Sequence, residues 1–136
     1  MIELVILGVP LCWKAPYVGT RGAFSPRYHH MNFMREIVAE QYKGPLLDQA
    51  VICDLTFFMP IPKAASKKRR LQMLCGLLRP EGTPDRINLG KLAEDFLQGI
   101  VLKNDSKIVG GRVDKFYGAV PRTEIKITLL DPLLAE

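Results

Sequence analysis

Between residues 84 and 105 the chain concentrates acid, amide and amine side chains at regular spacing. The run reads Pro84-Asp85-Arg86-Ile87-Asn88-Leu89-Gly90-Lys91, continues to Asp95 and Gly99, and ends on Asn104-Asp105. On a helix, Asn88, Lys91 and Asp95 fall at i, i+3 and i+7 and stack along one stripe. Asp85 lies just before that stripe, and Asp105 lies just past its far end, at the start of the next strand. These groups converge on one polar site if the following strand runs back beside the helix. Each also has a plain structural reading. Asp85 or Asn88 can cap the helix, for about 1 kcal/mol. Lys91 and Asp95 can form an exposed i,i+4 pair, and Asn104-Asp105-Ser106 is an acceptable turn.

A second group is basic. Lys67-Lys68-Arg69-Arg70 follows Ser66, a good N-cap, and precedes Leu71, Leu74 and Leu78. Four consecutive cations reach all sides of a helix, so some must face away from the core. Lys14, Arg21 and Arg27 form another basic patch in a segment rich in Gly and Pro. Together the two patches can contact phosphates on two duplex arms, which positions DNA without reading its sequence. Tyr17 and Phe24 in that segment suit either base stacking or local packing. His29 and His30 point about 100° apart on a helix, so they make no chelating pair, and there is no third His.

The elements that must carry these residues can be read from periodicity. Ile2–Leu7 is a strand, closed by Gly8 and Pro10. Cys12–Pro26 reads as a basic loop. Arg27–Tyr42 is a helix with apolar positions at Met31, Met34, Val38 and Tyr42, flanked by Phe33 and Ile37, and ended by Gly44 and Pro45. Ala50–Met59 is a strand rich in β-branched and aromatic residues. The short basic helix follows, weakened or ended by Gly76. Asn88–Leu102 is the clearest helix, with Leu89, Leu92, Ala93, Phe96, Leu97 and Ile100 on one apolar face. Ile108–Tyr117 and Thr123–Leu130 are strands, the last alternating Thr123, Ile125, Ile127 and Leu129 against Glu124, Lys126 and Thr128. The sum is an α/β or α+β domain spanning residues 1–136, with a mixed sheet of about four strands and about three helices.

Composition narrows the function classes. Hydrophobic residues make up 48% and charged residues 24% of 136, so the chain has an ordinary globular core. No apolar run approaches the roughly 20 residues of a membrane span, and Met1–Val9 lacks the basic start and cleavage site of a signal peptide, which points to a cytoplasmic protein. Cys12, Cys53 and Cys75 are an odd number at irregular spacing, and read as buried small hydrophobes rather than zinc ligands or a disulfide framework. A net charge of +5 and a pI of about 9.2 favour an acidic partner, of which nucleic acid is the commonest.

With these residues in place, the chain resembles the RusA family of Holliday-junction resolvases. That family carries Pro-Asp-x-Asp-Asn-Leu-x-Lys, then an Asp and a Gly on the same helix, then Asp-Asp. Here the pattern falls on Pro84, Asp85, Ile87, Asn88, Leu89, Lys91, Asp95, Gly99, Asn104 and Asp105. The basic segment from Ser66 to Arg70 and the stretch bearing Gly8, Pro10 and Lys14 are similar too, so the resemblance covers about residues 4–129. It implies a homodimer that binds four-way DNA junctions and nicks two strands symmetrically, using Mg²⁺ (or Mn²⁺) held by carboxylates. Carried over residue by residue, Asp85 and Asp105 become metal ligands, with Asp95 a further ligand or supporting group. Lys91 supports the phosphate or attacking water, and Asn88 and Asn104 orient their neighbours. Lys14, Arg21, Arg27 and Lys67 to Arg70 become DNA contacts.

Two positions depart from the pattern. Ile87 stands where the second Asp of Asp-x-Asp belongs, and Asn104 where the first of Asp-Asp belongs. Isoleucine offers no oxygen to a hard cation, whereas Asn104 keeps a carbonyl. Three readings stay open. A neighbouring carboxylate, Asp95, Glu94 or Glu81, completes the site and the chain cuts; or it binds junctions without cutting; or it is an interaction protein outside DNA, with a merely solvated acidic stripe.

Overall fold

A computed structural model describes residues 1–12, 17–19, 22–24 and 28–130. The frame is a strand bonded on both edges. β4 (Val51–Pro60) alternates strictly, with Val51, Cys53, Leu55, Phe57 and Met59 buried, Ile52, Asp54, Thr56 and Phe58 half-buried, and Pro60 exposed at its end. That period-2 pattern is what a strand with one core face requires. On one edge β4 pairs antiparallel with β7 (Arg122–Leu129), which in turn pairs antiparallel with β1 (Ile2–Leu7). On the other edge it pairs parallel with two short strands in succession, β5 (Ile108–Gly110) and β6 (Val113–Gly118). The result is a mixed five-stranded sheet with three α-helices among the described residues, an α+β single domain.

The buried face of the sheet is covered by α1 (Tyr28–Gln41) and α3 (Arg86–Leu97). Val38 of α1 and Leu89, Leu92, Ala93, Phe96 and Leu97 of α3 meet Leu4, Ile6, Leu55, Phe57, Ile125 and Ile127 in one core. Gln41 closes the exposed edge of β1: its side chain accepts from Val5 N at 2.9 Å and donates to Val5 O at 2.6 Å. α2 (Lys67–Leu74) starts on Ser66, whose side chain accepts from Arg69 N, and its chain turns away at Gly76, φ +84°. Met73 is its buried residue. No helix among the described residues is long and apolar enough to cross a membrane.

Four sequence expectations need correction. The stretch read as a basic loop holds a short antiparallel strand pair, β2 (Tyr17–Gly19) and β3 (Gly22–Phe24), with Gly19 opposite Gly22. The helix expected to reach Leu102 stops at Leu97. Gly99 takes φ +86°, and the amides of Ile100, Val101 and Leu102 fold back onto Leu97 O. Their apolar side chains prolong the helical pattern, but Val101 and Leu102 are buried by a turn. Of the cysteines read as buried, only Cys53 is: Cys12 is half-buried and Cys75 is exposed.

The fourth correction concerns the single strand read over 108–117, which is two. Gly111 breaks it: φ is +139°, and a Cβ there would lie 1.9 Å from Cys53 O. The gap is bridged by Asp54, whose carboxylate accepts from Arg112 N at 2.9 Å, and Leu55 N donates to Arg112 O. Only glycine fits both the backbone angle and this close approach. Gly111→Ala should therefore cost about 3 kcal/mol or more, read as a fall in denaturant midpoint, whereas alanine at open Gly82 should be nearly silent.

Candidate active site

α3 begins where its sequence says. Asp85 is the N-cap: its carboxylate accepts from Asn88 N at 2.8 Å, and the Asn88 amide donates back to its other oxygen at 3.4 Å. The preceding loop is clamped from the sheet. Lys115 of β6 donates to Gly82 O and Pro84 O, each at 2.8 Å, and Arg86 donates to Val113 O at 3.1 Å. Gly90 packs against Leu55 and Val113, where an added Cβ would make ordinary contact at 3.7 Å. β6 thus runs back beside α3, as the convergence of the motif requires. The clamp residues Lys115 and Arg86 were not legible as such, because their partners are backbone carbonyls distant in sequence.

The same antiparallel course decides which acids meet. Val113 lies beside the start of α3, so the chain eight residues earlier lies toward its end. Asp105 opens a single 3₁₀ turn (Asp105–Lys107) there, half-buried, and Asn104 shapes the turn by accepting from Ser106 N at 2.9 Å. The turn is fixed from a third side: Leu47 exchanges backbone bonds with Val101 and Lys103, and Asp48 pairs with Lys103 at 3.3 Å and Lys107 at 3.2 Å. Those two lysines draw the Asp48 carboxyl below its ordinary value.

Asp105 acts electrostatically on Glu94 and Asp95. Burial comes first in pushing the Glu94 carboxyl up, followed by the charges of Asp105 and Asp95. Asp95 is raised by burial and then by Asp105, while Lys91 pulls it back down. The structure therefore brings Asp105, Asp95 and Lys91 together and adds Glu94. Asp85 stands at the opposite end of α3, ten residues from Asp95 and so about 15 Å along the axis. Ile87, 71% exposed, sits in the first turn beside Asp85. Among the described residues no group of three or more His, Cys, Asp and Glu side chains forms a metal cage.

Arg35 of α1 was also missed by sequence reasoning. It donates to Gln98 O at 2.5 Å and, more weakly, to Asp95 O at 3.4 Å, placing a cation at the negative end of α3. Of the expected DNA contacts, Lys67, Lys68, Arg69 and Arg70 are all exposed on α2. Lys14, Arg21 and Arg27 lie outside the described residues.

Comparison with known proteins follows this geometry. The family model described as Endodeoxyribonuclease RusA matches residues 16–128. The protein named Uncharacterized protein YqaN from Bacillus subtilis (strain 168) is 36% identical over 94 residues, which cover 67% of this chain and 66% of that relative, just under two thirds of its length.

Two outcomes follow from the α3 ends. Asp85→Ala removes the cap and should lower stability by about 1 kcal/mol, and Asp85→Ser should restore most of it in the same melting experiment. At the other end the raised carboxyls bind protons more tightly in the native state than in the unfolded chain. Their charged forms therefore oppose folding, and stability falls as pH rises through their folded values. Glu94→Gln and Asp95→Asn should each raise the melting temperature of the metal-free protein at pH 7, with the gain vanishing below the ordinary carboxylate range.

Proposed function

This chain belongs to the endodeoxyribonuclease RusA family, and on that premise we propose that it is a metal-dependent endonuclease acting on four-way DNA junctions. The observation that carries the reading is the grouping of Asp105, Asp95 and Glu94 beside Lys91, where burial and like charge push the two helix carboxyls up. Carboxylates held close against their mutual repulsion are what a divalent cation relieves. The donors are all oxygen, as Mg²⁺ or Mn²⁺ requires. Mg²⁺ is commonly held by one or two carboxylates, with water and substrate phosphate filling the rest, so a complete protein cage is not needed.

In this reading Asp105 and Asp95 hold the ion, with Glu94 beside them supplying the oxygen that Ile87 cannot. When bound, the ion supplies an activated water and stabilises charge on the scissile phosphate. Lys91 brings a fixed cation to that phosphate. Asn104 shapes the turn that presents Asp105. Asp85 and Asn88 act as positioning residues, since the Asp85 cap fixes the start of the helix whose far end bears the acids. Lys67, Lys68, Arg69 and Arg70 contact the phosphates of the arms, joined by Lys14, Arg21 and Arg27. Two copies related by a two-fold axis present the same site to opposing strands.

A second reading rests on Ile87, an exposed apolar side chain where the family pattern has an acid: a junction binder that does not cut. The test separates them. A labelled synthetic four-way junction is incubated with the protein and EDTA, Mg²⁺ or Mn²⁺. Paired symmetric nicks that need metal, and that fall by about 100-fold or more in Asp105→Asn, are expected. Tight binding with no nicks, together with cleavage by Ile87→Asp, would establish the binder instead. A junction bound no better than a matched linear duplex would count against both.

A further inference from the structure

α2 carries a surface that the nuclease chemistry does not use. Its eight residues contain no acid, and Lys67, Lys68, Arg69 and Arg70 are all exposed. None of the ion pairs among the described residues engages these four. Behind them Leu71 is 62% exposed, Leu74 47% and Leu77 75%. Positions 67, 70, 71 and 74 fall at i, i+3, i+4 and i+7, so Lys67, Arg70, Leu71 and Leu74 share one stripe of the helix. The stripe is cationic at one end and apolar at the other, while Met73 turns inward to hold the helix.

Such a stripe fits one kind of surface: phosphates next to exposed apolar faces. A continuous duplex offers phosphates but keeps its base faces stacked. A branch point offers both, because bases there unstack, and apolar side chains commonly insert at such steps. The helix also neighbours the motif. Arg69 and Met73 share a hollow of about 250 Å³ with Glu81 and Gly82, and Glu81 lines the next hollow, about 370 Å³, with Asp85, Ile87 and Lys115. At 100° per residue the leucine stripe lies about 130° round α2 from Arg69 and Met73, so it faces away from this hollow and is open to a partner from outside.

We propose that Leu71 and Leu74 pack against the unstacked bases of a DNA branch point while Lys67 and Arg70 hold the adjoining phosphates, so that α2 is the element that tells a branch from a linear duplex. The proposal rests on the junction reading above and deepens it. The net charge complementarity of an acid-free helix selects nucleic acid over a second copy of this chain as the occupant.

The test uses a four-way junction with 2-aminopurine at the branch, and a matched linear duplex, both in EDTA. The parent should prefer the junction and raise its fluorescence as the base unstacks. Leu71→Ala/Leu74→Ala, whose folding is checked by melting, should keep its duplex affinity but lose about tenfold in junction affinity, equivalent to roughly 1.4 kcal/mol, along with the fluorescence rise. Lys67→Gln/Arg70→Gln should weaken both DNAs alike and flatten the salt dependence. A junction preference and fluorescence rise that survive in the leucine variant overturn the assignment alone. So does a leucine variant that becomes monomeric in sedimentation while still unstacking the base, since a second copy then covers the stripe. A parent that binds both DNAs equally overturns the junction reading itself.

Discussion

Parallel pairing between β4 and β6 is the constraint on which the rest of this molecule depends. Two antiparallel strands can be joined by a tight turn, but a parallel pair needs a crossover that leaves the sheet and returns. Here that crossover is residues 61–107, from β4 to the sheet's return at β5 and β6, and it contains α2, α3 and the 3₁₀ turn. Because β6 must re-enter alongside β4, the chain after α3 has to come back along the helix it has just completed. The motif from Asp85 to Asp105 is folded by that return. Its helix is pinned at the start by Lys115 of the returning strand and at the end by Arg35 of α1.

The same return explains why the acids meet at one end of α3 rather than around its middle. A strand antiparallel to the helix sets its last residues against the helix start and its first residues against the helix end. Asp105, the earliest of them, therefore falls on Glu94 and Asp95. Lys115, ten residues later, reaches Pro84. Placing a carboxylate at each end of a helix motif does not bring the two together. It assigns one to the cap and the other to the far turn.

Much of this was legible in the sequence, and the failures have specific causes. The β-branched, aromatic and roughly alternating run from Ala50 to Met59 and the apolar face from Leu89 to Leu97 are strong signals, and both elements form. So does the Ser66 cap. The helix end was overread because Ile100, Val101 and Leu102 continue the apolar pattern, although they are buried by a turn around Gly99. The break at Gly111 was missed because its cause, the carbonyl of Cys53, lies 58 residues away in sequence. Asp85 and Asp105 were rightly placed at the two ends of one helix, but their convergence does not form: Asp85 stays at the cap while Asp105 acts on Glu94 and Asp95 at the last turn. Glu94 was only one of several candidate acids until the turn placed Asp105 beside it.

The end of α3 is, by local physics, a poor place for acids. Glu94 and Asp95 sit in or next to the last turn, at the negative end of the helix dipole, with no basic residue of the helix itself there to offset them. Burial and the charge of Asp105 act in the same direction. Arg35 offsets the dipole but bonds to the backbone carbonyls of Asp95 and Gln98 and not to the carboxylates. The surrounding fold meets every other polar need it creates: no buried side-chain nitrogen or oxygen among the described residues lacks a partner. A chain that satisfies its polar groups elsewhere but sets two half-buried carboxyls in the field of a third here carries a local conflict of the kind that marks functional sites, where stability gives way to chemistry. That conflict supports the nuclease reading over a merely solvated acidic stripe, because a solvated stripe would have no reason to half-bury two carboxyls within range of a third charge.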